Sequence, residues 1–180
     1  MLVNIEFKEL SLNDINNNLL DDFKRYQEIK KCYVNNNGKW TLKNNEHIGN
    51  WDQEKKHKII SNFSNTIKEG GFVIGAYHYN KLIGFSVLLN KKFGKNNNYV
   101  ELKYIHVSFG YRRKGIGKKL FELCIKKTKD IGIEKIYISA NSAEETQNFY
   151  LGIGCIDALE INKKAAEDEP YDRQMEYIIK

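Results

Sequence analysis

Between Tyr99 and Cys124 the chain reads as an alternating stretch, a glycine turn, a basic loop with two more glycines, and an amphipathic segment. No other part of the sequence restricts the fold as much. Val100, Leu102 and Tyr104 fall on one face of a strand, and Glu101 and Lys103 on the other. Ile105 and Val107 are then apolar in the opposite register, with His106 between them. A one-residue slip of this kind is what a β-bulge produces, and bulges often re-aim side chains beside active sites. Ser108 to Tyr111 carries a turn signal in Gly110. Arg112-Arg113-Lys114-Gly115-Ile116-Gly117 follows. The next helix places Ile116, Leu120, Phe121, Cys124 and Ile125 on one face, with Lys118, Lys119, Lys126 and Lys127 mostly off it.

A strand, a glycine-rich basic loop and a helix start together make an anion site. Glycines let backbone N–H groups converge, and the helix N-terminus adds positive partial charge. Two phosphate loops fail on a named residue. A Walker A loop needs Lys after its second glycine, where Ile116 stands. A dinucleotide fingerprint needs Gly or Ala where Leu120 stands. What remains, Arg-x-x-Gly-x-Gly from Arg112 to Gly117 after a bulged strand, resembles the pyrophosphate loop of the GNAT superfamily of acyl-CoA-dependent N-acyltransferases.

The rest of the chain is read in order. Val3 to Phe7 alternates like a strand. Ser11 is placed to cap a helix through about Lys30, with Ile15, Leu19, Phe23, Tyr26 and Ile29 at helical spacing. Cys32 to Gly49 lacks periodicity and reads as loop. A second helix begins at Asp52, carries His57, Ile60, Phe63 and Ile67, and closes at Gly70-Gly71. Phe72 to Tyr79 and Leu82 to Leu89 are strands joined by the turn Tyr79-Asn80-Lys81. A polar loop from Lys91 to Asn98 leads into the bulged strand. After the Arg112–Gly117 loop and its helix come a strand from Lys135 to Ala140, a short helix from Glu144 to Leu151, and strands at Cys155 to Ile161 and Gln174 to Ile179. An acidic loop through Pro170 joins the last two. This element order is that of the GNAT superfamily. The resemblance implies an α+β fold of three α/β/α layers. Its central sheet has about seven strands, is mixed but mostly antiparallel, and bulges in the fourth strand. It also implies a single acetyltransferase domain over residues 1–180.

The resemblance assigns chemistry residue by residue. Acetyl-CoA is the implied cosubstrate, and a small-molecule or peptide amine the implied acceptor, attacked directly in a ternary complex. Backbone N–H groups from Arg113 through Lys118 would face the pyrophosphate, with Arg112, Lys114, Gly115, Ile116 and Gly117 in the same loop. The pantetheine arm would run along the backbone of Ile105, His106 and Val107, with an N–H at Val107 aimed at the thioester oxygen. Asn148-Phe149-Tyr150 followed by Gly154 is similar to the family segment Tyr-x-x-x-Gly-Phe, so Tyr150 would protonate the leaving thiolate. The family asparagine seven residues before that tyrosine is Ala143 here, and the phenylalanine after the glycine is Cys155. Asn141 and Asn148 are the nearby candidates for the pantetheine contact. Glu101, eleven residues before Arg112, sits where histone-acetylating members carry a general base. His106, beside the bulge, is the competing base. Glu167, Asp168, Glu169 and Asp172 would favour a cationic amine if their loop folds over the site. Trp40 and Trp51 flank the region where family members shape the acceptor pocket.

Composition excludes several other classes. Cys32, Cys124 and Cys155 are widely spaced, with no CxxC pair, and the 4 histidines form no HExxH cluster, so neither a metal nor a disulfide framework is expected. The net charge of +6 suits a polyanionic cofactor. It would suit nucleic acid too, but no nucleic-acid-binding motif accompanies it. No apolar run approaches membrane-spanning length and no signal-peptide pattern is present, so a cytoplasmic enzyme is expected, with no membrane partner. A homodimer is compatible with this reading. The rival within the same fold is a non-catalytic acyl-CoA sensor or interaction module.

Overall fold

The computed structural model describes residues 4–180. Its strands are β1 (Glu6–Glu9), β2 (Gln27–Asn36), β3 (Lys39–Gly49), β4 (Phe72–His78), β5 (Lys81–Leu88), β6 (Tyr99–Val107), β7 (Lys135–Ala140), β8 (Ile156–Asp157) and β9 (Arg173–Ile178). Its helices are α1 (Gln53–Lys68), α2 (Ile116–Asp130), α3 (Glu144–Gly152) and α4 (Lys163–Asp168). Seven strands form one sheet in the order β1-β4-β5-β6-β7-β9-β8, while β2 and β3 make a separate hairpin. Every neighbouring pair in the large sheet is antiparallel except β6 and β7.

Alternation along the strands sends side chains to two apolar layers. Ile74, Val100, Leu102, Ile136 and Ile138 pack with Leu120, Phe121 and Cys124 of α2 and Tyr150 of α3. On the opposite face Val73, Phe85 and Val87 pack with Ile59, Ile60 and Phe63 of α1 and with Leu20 and Phe23. The three layers expected from the resemblance are therefore present. So is the bulge, one position earlier than the apolar pattern suggests. Val87 pairs with Tyr104 and Leu88 with Leu102, which leaves Lys103 as the extra residue. Tyr104 consequently leaves the face of Leu102 and joins the α1 layer.

Helix α1 forms where expected because Asp52 caps it, its carboxylate accepting from the Lys55 N–H at 2.7 Å. Asp52→Ala is expected to lower stability by about 1 kcal/mol, read as an earlier urea midpoint with unchanged slope.

The N-terminal third differs from its sequence reading. The helix expected from Ser11 to Lys30 is absent. Only Leu12–Asp14 form a short turn of 3-10 helix, and the chain then runs irregularly into β2. The loop expected from Cys32 to Gly49 is instead most of a hairpin. Asn37 and Gly38 both take positive φ, 52° and 88°, the conformation of a type I′ hairpin turn. Val3, in the first expected strand, lies outside the described residues; the strand itself is Glu6–Glu9. The strand expected from Cys155 to Ile161 shrinks to Ile156–Asp157, and the acidic loop contains α4.

Below the sheet's C-terminal strands lies one buried ionic group. Glu176, fully buried, accepts from the Tyr99 phenol at 2.5 Å, the Leu159 N–H at 3.0 Å and the Lys135 ammonium at 3.1 Å. Burial alone would raise its carboxyl pKa. The bonds from Tyr99, Leu159 and Lys135 outweigh burial and hold it below the ordinary value. A depressed carboxylate stabilises the fold above its unfolded pKa and stops doing so as pH falls through the lower folded value.

Candidate active site

Strands β6 and β7 pair only from Tyr99 to Glu101 against Lys135 to Tyr137. Beyond Glu101 they part: β6 stays on β5 and β7 stays on β9. The second half of β6 therefore has one backbone edge without a strand partner. The Ser108 N–H donates to the Ile83 carbonyl at 2.8 Å, toward β5. Alternation then turns the N–H groups of Ile105 and Val107 to the open edge, and that of His106 away from it. Arg112 caps the end of this edge. Its Nε donates to the Val107 carbonyl at 3.0 Å and its Nη2 to the Arg25 carbonyl at 3.4 Å. The guanidinium thus braces the end of β6 rather than reaching out from the loop.

The loop after Arg112 is bent by Arg113 and Gly115, with φ of 58° and 80°. A left-handed residue between right-handed ones turns successive N–H groups into a concave nest. The Lys119 N–H bonds back to the Gly115 carbonyl at 3.0 Å, and the first N–H groups of any helix have no intrahelical acceptor. Those of Ile116, Gly117 and Lys118 add to the nest. Lys114 donates to the Gly110 carbonyl at 2.9 Å, and Arg113 pairs with Glu145 at 3.0 Å. A Cβ on Gly117 would stand 3.4 Å from Phe149, so this position lies directly against α3.

Glu101 sits where the two strands part. Burial raises its carboxyl pKa above the ordinary value, and Asp168 adds to the effect, while Lys103 and Lys164 oppose it. Asn162 holds it in place, donating from Nδ2 at 3.1 Å while its Oδ1 caps α4 at Ala165. The C-terminal segment therefore does fold over Glu101. Asp172 faces the same region. Its carboxyl is pushed up to about 6 by burial and by Glu169, against a bond from Ser139. Asn162 therefore bonds Glu101, and Asp172 lies beside Ser139 and Glu169. Asn162 carried no signal in the sequence, because its role depends on the path of a segment that reads only as an acidic loop.

His106 lies on the α1 face. Its ring meets Trp51 edge-on at 4.7 Å and Phe85 at 5.6 Å. Burial first, then the charges of Arg25, Arg112 and Lys55, hold its pKa well below the ordinary imidazole value. Burial thus favours the neutral imidazole and weakens it as a base. Arg25 lies over Trp51 at 5.7 Å, its pKa pushed down to about 10 by burial and by Arg112. Trp51 also lines a cavity of about 340 Å³ with Asp21, Lys24, Tyr26, Asn50 and Lys56. Trp40 lies instead over the Arg173 guanidinium at 5.1 Å, which in turn grips Asp157 with two bonds.

Tyr150 is buried on the inner face of α3, against Phe149 and Phe121. Burial lifts its phenol pKa far above the ordinary value, with smaller contributions from Cys155, Cys124 and Asp172. Burial therefore favours the protonated phenol. Asn141 caps the turn before α3, its Oδ1 accepting from the Ala143 N–H at 3.0 Å. Asn148 accepts from the Tyr33 phenol of β2 at 3.1 Å. Those two bonds tie the amide oxygens of both asparagines to the protein. The hairpin reaches across to this helix. The Tyr33 N–H donates to the Ser142 carbonyl at 2.8 Å, and Ile29 and Cys32 pack on Ala143.

A profile described as the Acetyltransferase (GNAT) family matches residues 26–154. This chain belongs to the GNAT acetyltransferase family. Among solved structures, a Bacillus anthracis protein assigned as a streptothricin acetyltransferase, in complex with acetyl coenzyme A, superimposes with a TM-score of 0.70. It is 18% identical, covering 98% of each chain. Nourseothricin acetyltransferase gives 0.70 at 13% identity over 98% of this chain and 99% of its own. The PaiA N-acetyltransferase of Thermoplasma acidophilum, with coenzyme A, gives 0.61 at 18% identity over 98% and 99%. At these identities the likeness is one of fold. No curated protein sequence matches this GNAT chain. No helix among its described residues is long and apolar enough to cross a membrane, and no three metal-ligating side chains are grouped among them.

Proposed function

We propose that this GNAT domain transfers the acetyl group of acetyl-CoA to a primary amine by direct attack in a ternary complex. One observation carries the reading: the edge of β6 left unpaired beyond Glu101 is followed, after the 3-10 turn Phe109–Tyr111, by the N–H nest at Arg113 to Lys118. An extended arm bearing amides can pair with such an edge as an added strand would, and the nest suits a pyrophosphate. The N–H groups of Ile105 and Val107 would polarise the thioester carbonyl. Glu101 would take a proton from the acceptor's ammonium, freeing the amine lone pair that then forms the C–N bond. Tyr150 would give its proton to the sulfur as the C–S bond breaks. Glu101, Glu169 and Asp172 favour a cationic acceptor over a neutral or anionic one.

The test has two parts. Calorimetry should show acetyl-CoA binding, weakened at least about tenfold in Gly117→Val, because a branched side chain there must crowd Phe149 and Val107 at the start of α2. A panel of amines that includes streptothricin, for which one structural neighbour is named, should release free thiol from acetyl-CoA. Unchanged affinity in a folded Gly117 variant would remove the nest from the cofactor site. Tight binding with no turnover on any amine would turn the reading toward an acyl-CoA sensor.

A further inference from the structure

Arg25 carries a positive charge that no carboxylate of the protein answers. The side chain is partly buried, and its Nε and Nη1 are sealed from solvent with no hydrogen-bond partner in the protein. Burial and the neighbouring Arg112 both weigh against its charge, and no carboxylate among the described residues acts on it in return. What it has is the face of Trp51, 5.7 Å from Cζ, and a cation–π contact leaves the N–H donors unsatisfied. A buried charge is ordinarily paired, because taking it out of water is costly. Met would cover Trp51 without that cost, so packing does not account for the residue.

The surroundings say what the charge is for. Arg25 stands at the end of β6. Its carbonyl accepts from Nη2 of Arg112, whose Nε holds the Val107 carbonyl. Its charge reaches His106 on that strand. Trp51, against which His106 packs at 4.7 Å, is a wall of the 340 Å³ cavity. Lys24 and Tyr26, on either side of Arg25 in the chain, line the same cavity. Its two carboxylates are engaged elsewhere: Asp22 pairs with Lys81 at 2.8 Å, and Asp21 accepts from Gln53 at 3.2 Å. Nη2 of Arg25 is not sealed, so a ligand reaches the guanidinium from that side.

We infer that Arg25 sets acceptor specificity by binding a carboxylate carried on the same molecule as the attacking amine. This rests on the acetyl-transfer reading above, in which the thioester lies at Ile105 and Val107. A guanidinium matches the planar carboxylate in shape as well as charge. A phosphate would call for the second guanidinium too, and Arg112 spends its Nε and Nη2 on backbone carbonyls. The two ends of one acceptor then meet opposite charges, the ammonium at Glu101 and the carboxylate at Arg25.

The experiment offers leucine, phenylalanine and lysine, each as the free acid and as its carboxamide, to wild type, Arg25→Met and Arg25→Lys. In wild type the KM of the preferred acid should lie at least about tenfold below that of its amide, the size of one charge-assisted bond. The ratio should fall toward one in Arg25→Met and survive in part in Arg25→Lys, which keeps the charge but not the fork. General damage to the site would move acid and amide alike and leave the ratio standing. The melting temperature of Arg25→Met should hold or rise, because an unpaired buried charge is removed. Equal use of acids and amides by wild type overturns the inference. So does an acid preference that persists in Arg25→Met. If acetyl-CoA binds and no amine is acetylated, the transfer reading fails, and Trp51 fluorescence tests Arg25 by itself. In a Trp40→Phe background Trp51 is the only tryptophan. The acids should then perturb it at concentrations at least about tenfold lower than the amides do, and an equal response or none overturns the inference.

Discussion

Glu101→Gln is expected to lower the rate of acetyl transfer by about two to three orders of magnitude near neutral pH, the range over which a positioned general base contributes. The carboxylate form does the work, so wild-type activity should rise with pH through the pKa of Glu101. Burial places that pKa above the ordinary carboxylate value, and Asp168 pushes it further. The Gln variant should lose this limb and show a flat acid side. Stability should move the other way. A carboxyl group whose folded pKa exceeds its unfolded one makes the folded state bind more protons. Its contribution to stability is then fullest at low pH and is lost as pH rises through the folded pKa. At neutral pH the ionised Glu101 thus weighs against the fold, and Gln at this position should leave the urea midpoint equal or higher. A pH–rate profile that keeps its acid limb in the variant would take Glu101 out of the reaction and bring His106 back, despite its depressed basicity.

The part of the chain that announces itself in the sequence is the part whose geometry is set locally. Tyr99 to Cys124 contains a bulge, two left-handed positions and a helix start within 26 residues, and each has its own residue-level cause. The slip from Leu102 to Ile105 is visible as a break in alternation, because both residues must reach the same core layer. Glu101 and Tyr150 could be placed on opposite elements from spacing alone. The parting of β6 and β7 after only three paired residues, which leaves Glu101 at the end of the pairing, could not.

The N-terminal third departs from its sequence pattern for definite physical reasons. Ile15, Leu19, Phe23, Tyr26 and Ile29 have helical spacing, but they serve different masters. Phe23 enters the α1 layer from irregular chain, while Ile29 packs on Ala143 from β2. A register shift between Ile29 and Lys31 breaks the strand's alternation. Buried residues then fall at Gln27, Ile29 and Cys32, which matches neither a period of two nor one of 3.6. Strand β3 is largely exposed and polar, so it has no pattern to show. The usable signal was Asn37-Gly38, a strong hairpin turn, set between polar flanks that hid it. The unpaired guanidinium of Arg25 carried no signal at all, because only a folded neighbour can show that a polar atom lacks a partner.

Tyr150→Phe is expected to slow the chemical step about a hundredfold, or ~3 kcal/mol at ~1.4 kcal/mol per tenfold. The substitution keeps the ring, and so the packing against Phe121 and Phe149, while removing the only proton the side chain can give. Single-turnover kinetics with bound acetyl-CoA are the proper measurement, since product release can hide a change in chemistry. The buried phenol makes a second, independent statement. Its pKa is lifted far above the ordinary value, so Tyr150 stays protonated through the working range and should impose no basic limb on the rate. It also weakens the phenol as an acid, so donation to the sulfur as the C–S bond breaks needs the bound cofactor to narrow that gap. Stability should hold or rise slightly in the Phe variant, because a poorly solvated hydroxyl is lost. A chemical step within about threefold of wild type would leave less than ~1 kcal/mol at stake. Tyr150 would then be a packing residue of α3, and the sulfur would draw its proton from water or from the incoming ammonium.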